Sequence, residues 1–448
     1  MYLRLSQIAV LTTTLFVGSS YALTLSDSVQ LMQRNSADAR TSRLTSEIEK
    51  LSEEQVKAGL MPQVSMTSSF GVEKRKIYEN TDGDNSYDRS DTNNFAVNVN
   101  QVLYNGELFS QVEESEINSR VAELGSDAQI EALRIQLIAD YFELAKLVET
   151  RALLKKDVAT QQSLLVANEA KYKRGLIREV EVLTAKAGMT ETQSLIQSTT
   201  AQIKTIQRRL ERLTREPLKT VYGLPERGHK LLRLDMQPED LLMFARNNKK
   251  SLLAAKQSVL LAEQRVESAN KKYLPKLDLT ASHTRSGYDH NNPGGTDEVD
   301  DRALTTAAIN LSWDLFNGGA TGAQVASAQK AKTIADLAYE EENLRFAEAL
   351  DNALTQLGVL EAQVAALNAR MALQTKNYND IKTAFKSGLA NQEQYLAAQK
   401  EYFGAVAQVK YVQYDYYNAL IAVYNEAGLF SDDRLNAMSN LFTRPLDI

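Results

Sequence analysis

The chain of 448 residues has no cysteine, 7 prolines, 20 glycines, three histidines and a single tryptophan. Without thiols there is no disulfide, no thiolate metal site and no cysteine nucleophile, and no N-terminal cysteine for lipid attachment. So few prolines and glycines enforce few turns, and 43% hydrophobic residues supply ample core, which together point to long helices. A net charge of −6, with no basic cluster interleaved with aromatics, gives no reason to expect nucleic acid as a partner. His229, His283 and His290 join no serine–aspartate set, metal-binding helix or phosphate loop, so no catalytic residue, metal or cofactor is expected. Beyond the first residues no apolar run approaches the roughly 20 residues of a membrane-spanning helix. Any crossing of a membrane must therefore use strands.

The first 22 residues read as a secretory leader: Arg4, an apolar stretch from Ile8 to Val17, and the small-residue site Ser20-Tyr21-Ala22, with cleavage expected after Ala22. The remainder, 23–448, contains an internal duplication at a separation of about 213 residues, giving expected repeats 23–235 and 236–448 within one intertwined domain. Leu103-Tyr104-Asn105-Gly106 recurs as Leu315-Phe316-Asn317-Gly318, and Leu60-Met61-Pro62 as Leu274-Pro275. Tyr172-Lys173-Arg174-Gly175-Leu176 recurs as Phe385-Lys386-Ser387-Gly388-Leu389.

Four segments alternate apolar and polar side chains: 63–72, 95–103, 276–284 and 306–314. In the first, Val64, Met66, Phe70 and Val72 fall on one face; in the last, Ile309, Leu311 and Trp313 do. Each run matches a tilted membrane strand of about nine to eleven residues, although a half-buried soluble sheet alternates in the same way. Tyr104, Trp313 and Phe316 stand at strand ends, where interfacial anchors belong. The stretches Lys74 to Asn94 and Arg285 to Arg302 are acidic and polar and read as long outer loops; neither has the spacing of a calcium loop. Four strands in lipid leave two unpaired edges, so closure needs two, three or four chains.

From about Glu107 to Lys173 and about Ala320 to Lys386 no proline interrupts a helix-forming composition, and at 1.5 Å per residue each helix reaches about 100 Å. Leu357, Val364, Met371, Tyr378 and Phe385 recur every seven residues beside Leu360, Leu367 and Ile381, a coiled-coil seam. The first copy keeps it more loosely through Leu144, Val158, Leu165 and Tyr172, with Leu147 and Leu154 beside them and Arg151 interrupting. Each helix is expected to reverse at Gly175 or Gly388 and return over about Glu179 to Thr214 or Asn391 to Gly428. The tyrosines of the last long helix, Tyr402 to Tyr424, read as packing residues.

The duplicated strand pairs, Tyr273-Leu274-Pro275-Lys276-Leu277-Asp278-Leu279, Leu315-Phe316-Asn317-Gly318-Gly319 and the Gly-Leu tips, in order and in duplicate, make the whole mature chain resemble the TolC family of outer-membrane efflux and type I secretion channels. The fold class that the resemblance implies is mainly α with a membrane β-barrel portion. It also implies a homotrimer in the outer membrane, with a 12-stranded barrel in lipid, a 12-helix periplasmic tunnel, and a belt from 216–239 and 429–448. The implied partners are a periplasmic adaptor (membrane fusion protein) and an inner-membrane ABC or RND transporter. Exit-duct function follows, with type I protein secretion slightly favoured over small-molecule efflux; a periplasmic adaptor or structural coiled coil is the more distant reading.

A duct closes where its helices converge, and charge there sets selectivity. By position the gate and tip candidates are Lys173, Arg174, Gly175, Leu176, Arg178, Glu179 and Glu181 in the first hairpin. In the second they are Lys386, Gly388, Leu389, Asn391, Gln392, Glu393 and Gln394. Family members carry two aspartates where this chain has Gln394 and Ala397, so that aspartate ring is not kept. Exposed Leu176 and Leu389 are expected to contact an adaptor, or else to cap their own helices.

Overall fold

The computed structural model describes residues 23–78, 85–225, 231–234, 236–291 and 298–448. Residues 1–22, with the expected leader and Ala22, 79–84, 226–230 with His229, 235 and 292–297 lie outside them. The duplication appears as a repeated order of elements. The first copy runs α1 (Leu25–Asn35), α2 (Ala37–Ala58), β1 (Gln63–Tyr78), β2 (Asn85–Asn105), α3 (Gly106–Lys173) and α4 (Glu179–Thr214), followed by β3 (Thr220–Gly223). The second runs α5 (Pro238–Asn248), α6 (Lys250–Lys271), β4 (Lys276–Asn291), β5 (Glu298–Ser312), α7 (Ala320–Lys386) and α8 (Gln392–Glu426), followed by α9 (Asp432–Ser439) and β6 (Arg444–Asp447).

Local chemistry explains why the long helices start where they do. Asn105 caps α3, its Oδ1 accepting from Leu108 N at 3.1 Å, whereas α7 starts behind the left-handed Gly319, with Asn317 Oδ1 reaching Thr321 N at 3.4 Å from outside the cap. Glu107, in the first turn of α3, accepts from Lys276 at 3.0 Å and pairs with Lys272 at 3.4 Å, tying the base of one repeat to the strand entry of the other.

β1, β2, β4 and β5 form one antiparallel sheet in the order β1-β2-β4-β5, so β1 and β5 are its edges. Register places Val64 opposite Val99, Val99 opposite Ala281 and Ala281 opposite Ala307, so the apolar alternation shares one face. That face is bare: Phe70 is 84% and Leu311 68% exposed. The strands hold 16, 21, 16 and 15 residues, longer than the bilayer requires. Most of the stretches read as outer loops are therefore strand. Apolar alternation marks only the lipid-contacting part of a ladder, whereas backbone pairing continues into polar sequence with no change in its own energetics. Among the described residues no helix is long and apolar enough to cross a membrane.

The main core lies partway along the helices, where α1, α3, α4, α8 and α9 meet. Tyr414, Tyr416 and Tyr417 are buried there, and Phe142 stacks on Phe442 with ring centroids 4.8 Å apart. β3 pairs with β6, so the two segments expected to build the belt join as a two-stranded ribbon. Glu149 of α3, 5% exposed, holds this ribbon in place. It accepts from Arg444 at 2.6 Å and Tyr414 Oη at 2.8 Å, with Lys410 Nζ at 3.7 Å. Gly223 permits the close approach, since a Cβ there would stand 2.7 Å from Glu149 Oε1. Arg151, which interrupts the first seam, donates to Asp447 O at 3.0 Å; the seam breaks where β6 docks.

Candidate gate and docking site at the helical tips

Both long helices end in the same hydrogen-bonded turn. Leu176 N donates to Lys171 O at 3.0 Å and Gly175 N to Tyr172 O at 2.8 Å; Leu389 N donates to Ala384 O at 2.8 Å and Gly388 N to Phe385 O at 3.2 Å. This is the paired closure that requires a left-handed residue, supplied by Gly175 at φ 72° and Gly388 at φ 75°. In such a turn the residue after the glycine usually packs back on its own helix. Leu176 is 68% and Leu389 84% exposed, so neither does; the same turn at Gly428 buries its leucine, Leu429, to 8%. The tips thus present two apolar side chains to whatever meets them.

The remaining tip candidates fall into different places. Lys173, Arg174, Arg178, Glu179, Lys386 and Glu393 are exposed, and Arg178 reaches Glu181 only at 3.9 Å. Asn391 and Gln394 serve their own helix: Asn391 Oδ1 accepts from Gln394 N at 2.8 Å and Gln394 Oε1 from Asn391 N at 2.9 Å, a reciprocal cap of α8. Gln392 instead bridges the hairpins. Its Nε2 donates to Glu181 O at 3.1 Å and its Oε1 accepts from Asn168 at 2.9 Å.

One heptad further from the tip, Gln399 donates to Asp157 Oδ1, while Gln161 donates to Asp157 Oδ2 at 2.9 Å and to Thr192 at 3.1 Å. Asn168, Asp157, Gln161 and Gln399 were not singled out from sequence, yet a signal exists. Gln161 and Asn168 continue the seven-residue spacing of Leu147 and Leu154, and Gln392 and Gln399 are likewise seven apart. Polar groups at seam positions fix register at some cost in stability.

The two hairpins differ in aromatic packing. Between α7 and α8, Phe385 stacks on Tyr395 at 4.8 Å and Tyr378 on Tyr402 at 5.0 Å, with Leu164 of α3 completing a second core. The α3–α4 hairpin has no such ladder, and Tyr172, expected in its seam, is 44% exposed. Burial pushes the Tyr395 hydroxyl well above the usual tyrosine range, and its contact with the Tyr378 hydroxyl adds to this. At the opposite end Tyr104 is 40%, Trp313 56% and Phe316 87% exposed, and the Trp313 indole N–H donates to Tyr273 O at 2.9 Å.

A family model described as "Outer membrane efflux protein" matches this chain twice, over residues 27–214 and 241–429, one match per repeat. The chain is 22% identical to outer membrane efflux protein BepC of Brucella suis, over 95% of this chain and 90% of that protein. It is 21% identical to outer membrane protein TolC of Vibrio cholerae, over 84% of each. Among solved structures, the Campylobacter jejuni CmeC outer membrane channel superposes with a TM-score of 0.75 at 16% identity, covering 94% of this chain and 90% of that one. The open-state MtrE channel of Neisseria gonorrhoeae gives 0.69 at 17%, covering 90% and 89%. The duplicated elements, the bare apolar sheet face and the paired helical tips all fall within the matched residues, and the chain belongs to the TolC family of outer membrane efflux proteins.

Proposed function

We propose that three copies of the chain close a 12-stranded barrel and form the outer-membrane exit duct of a trans-envelope export machine, gated at the helical tips. The observation that carries this is the open four-stranded sheet: an apolar face with two unpaired edges, β1 and β5, on the end of helices about 100 Å long. Because the chain has no native cysteine, engineered cysteine pairs across the β1 and β5 edges test it cleanly. A covalent trimer is expected; a ladder that stops at dimer, or no crosslink, refutes it.

The exposed Leu176 and Leu389 dock an apolar pocket on a periplasmic adaptor, which links the duct to an inner-membrane transporter. Aspartate at both positions is expected to abolish in vivo crosslinking to the adaptor, and undiminished crosslinking would remove this contact. For cargo, the family description and the Brucella relative's name both speak of efflux, which favours small molecules. Type I protein secretion, expected from the sequence, is the other arm of the same test. Deleting the gene is expected to raise drug and bile-salt sensitivity with an unchanged secretome, while selective loss of a few large exported proteins reverses the assignment.

A further inference from the structure

Where α3, α4 and α8 run side by side, their seam does not close. Gly188 and Gly404 stand where side chains would fill it, leaving a cavity of about 520 Å³, the size of a drug-like ligand site. Leu153, Leu154, Leu164, Leu396 and Phe403 give it apolar walls. Asp157 lies among them, half-buried, with one amide N–H on each carboxylate oxygen, from Gln399 and from Gln161. No ion pair reaches Asp157 among the described residues, although Lys400 also lines the cavity. A carboxylate against apolar walls, with one donor on each oxygen, retains lone pairs for further donors.

A second shortage points the same way. Gln399 is 2% exposed, and its Oε1 accepts no hydrogen bond; neither does Oε1 of Gln161. A Cβ placed on Gly188 would come within 3.5 Å of that Gln161 oxygen. The cavity therefore brings together two amide oxygens without donors and a carboxylate without an ion pair, inside apolar walls. Glu191 at its edge adds a second carboxylate.

We propose that this cavity is a binding site for a lipophilic ammonium ligand, whose N–H groups meet Asp157 and whose hydrocarbon body lies against the leucines and Phe403. The Gln161 and Gln399 amides turn toward it as it enters. The site lies within the duct wall, away from the tips, and stands whichever cargo the duct carries.

The test uses the full-length protein in a neutral maltoside detergent and follows the fluorescence anisotropy of rhodamine 6G, a planar lipophilic cation. Saturable binding at one probe per chain is expected. The primary ammonium 1-adamantylamine is expected to displace the probe and its neutral isostere 1-adamantanol is not, a comparison that needs no mutation. Asp157→Asn is expected to weaken the probe at least tenfold, and Gly188→Leu, which fills the cavity, to abolish saturable binding. Purely non-saturable partitioning, equal displacement by the alcohol, or unchanged affinity in Gly188→Leu would each overturn the proposal. Loss in Gly188→Leu with full affinity in Asp157→Asn would overturn its ionic part. Both variants are checked for native oligomer size and helicity, and the displacement pair stands if either fails to assemble.

Discussion

Replacing Glu149 with glutamine is expected to release the belt ribbon without dismantling the duct. The carboxylate is 5% exposed and serves three donors from two other elements: Arg444 of β6, and Lys410 and Tyr414 of α8. Breaking a buried ion pair from one side costs about 3–5 kcal/mol, because the opposite charges stay desolvated. The Arg444 side chain is 28% and that of Lys410 14% exposed, so water recovers part of this and the lower end, about 3 kcal/mol, applies. Since 1.36 kcal/mol is a factor of ten, opening of the ribbon rises by about 150-fold. Hydrogen exchange reads it directly, in the amides of Thr220–Gly223 and in Ile448 N, which donates to Lys219 O at 3.0 Å. The amides at the start of α7, next to the sheet and far along the helix from the change, serve as internal control. Adding Arg444→Met to Glu149→Gln is expected to recover part of the protection, since it removes one of the two cations left facing the lost carboxylate while Lys410 remains. Unchanged ribbon exchange in the single variant, or further loss in the double, would refute the reasoning.

Three further outcomes follow from the geometry. Gly175→Ala and Gly388→Ala meet no neighbour within 4 Å but must hold φ near +72° and +75°, so each costs about 1–2 kcal/mol and speeds proteolytic nicking at its own tip only. Gln392→Ala removes both hydrogen bonds that join the tips of the two hairpins, and is expected to raise the open probability of the channel in planar bilayers; unaltered closed-state conductance would show that the bridge does not restrain the tips. Burial raises the Glu107 carboxyl, but hydrogen bonding to Lys276 and the charges of Lys276 and Lys272 outweigh it and leave the group below the usual carboxylate range. A depressed carboxyl contributes stability above its unfolded value, near 4.3, and that stability is lost as pH falls through the folded value. Wild type is therefore expected to lose protection at the α3–β4 junction on acidification, while Glu107→Gln starts lower at neutral pH and changes little, as hydrogen exchange across pH 3–7 would register.

The ends of the helices were readable because their causes are local. Gly175 and Gly388 adopt the one backbone region that closes a helix end, so residue type and spacing alone placed the two reversals. The Tyr378 and Val364 seam was readable for a similar reason, since a heptad repeat fixes which face is buried. Strand length was not, because polar strand residues carry no periodic signal and only the pairing partner tells strand from loop.

Other sites depended on neighbours hundreds of residues away. The glutamines in the first turns of α8 looked alike in sequence, yet Gln394 caps its own helix, Gln392 bridges to α3 and α4, and Gln399 reaches Asp157. Arg151 looked like a fault in a coiled coil until β6 lay beside it. Composition, duplication and turn chemistry thus determined the class of protein, its repeated hairpins and its need for strands in lipid. Tertiary structure decided which polar side chains face one another and which leucines stay bare, because those depend on how separate helices settle side by side, a matter of packing that no single segment encodes.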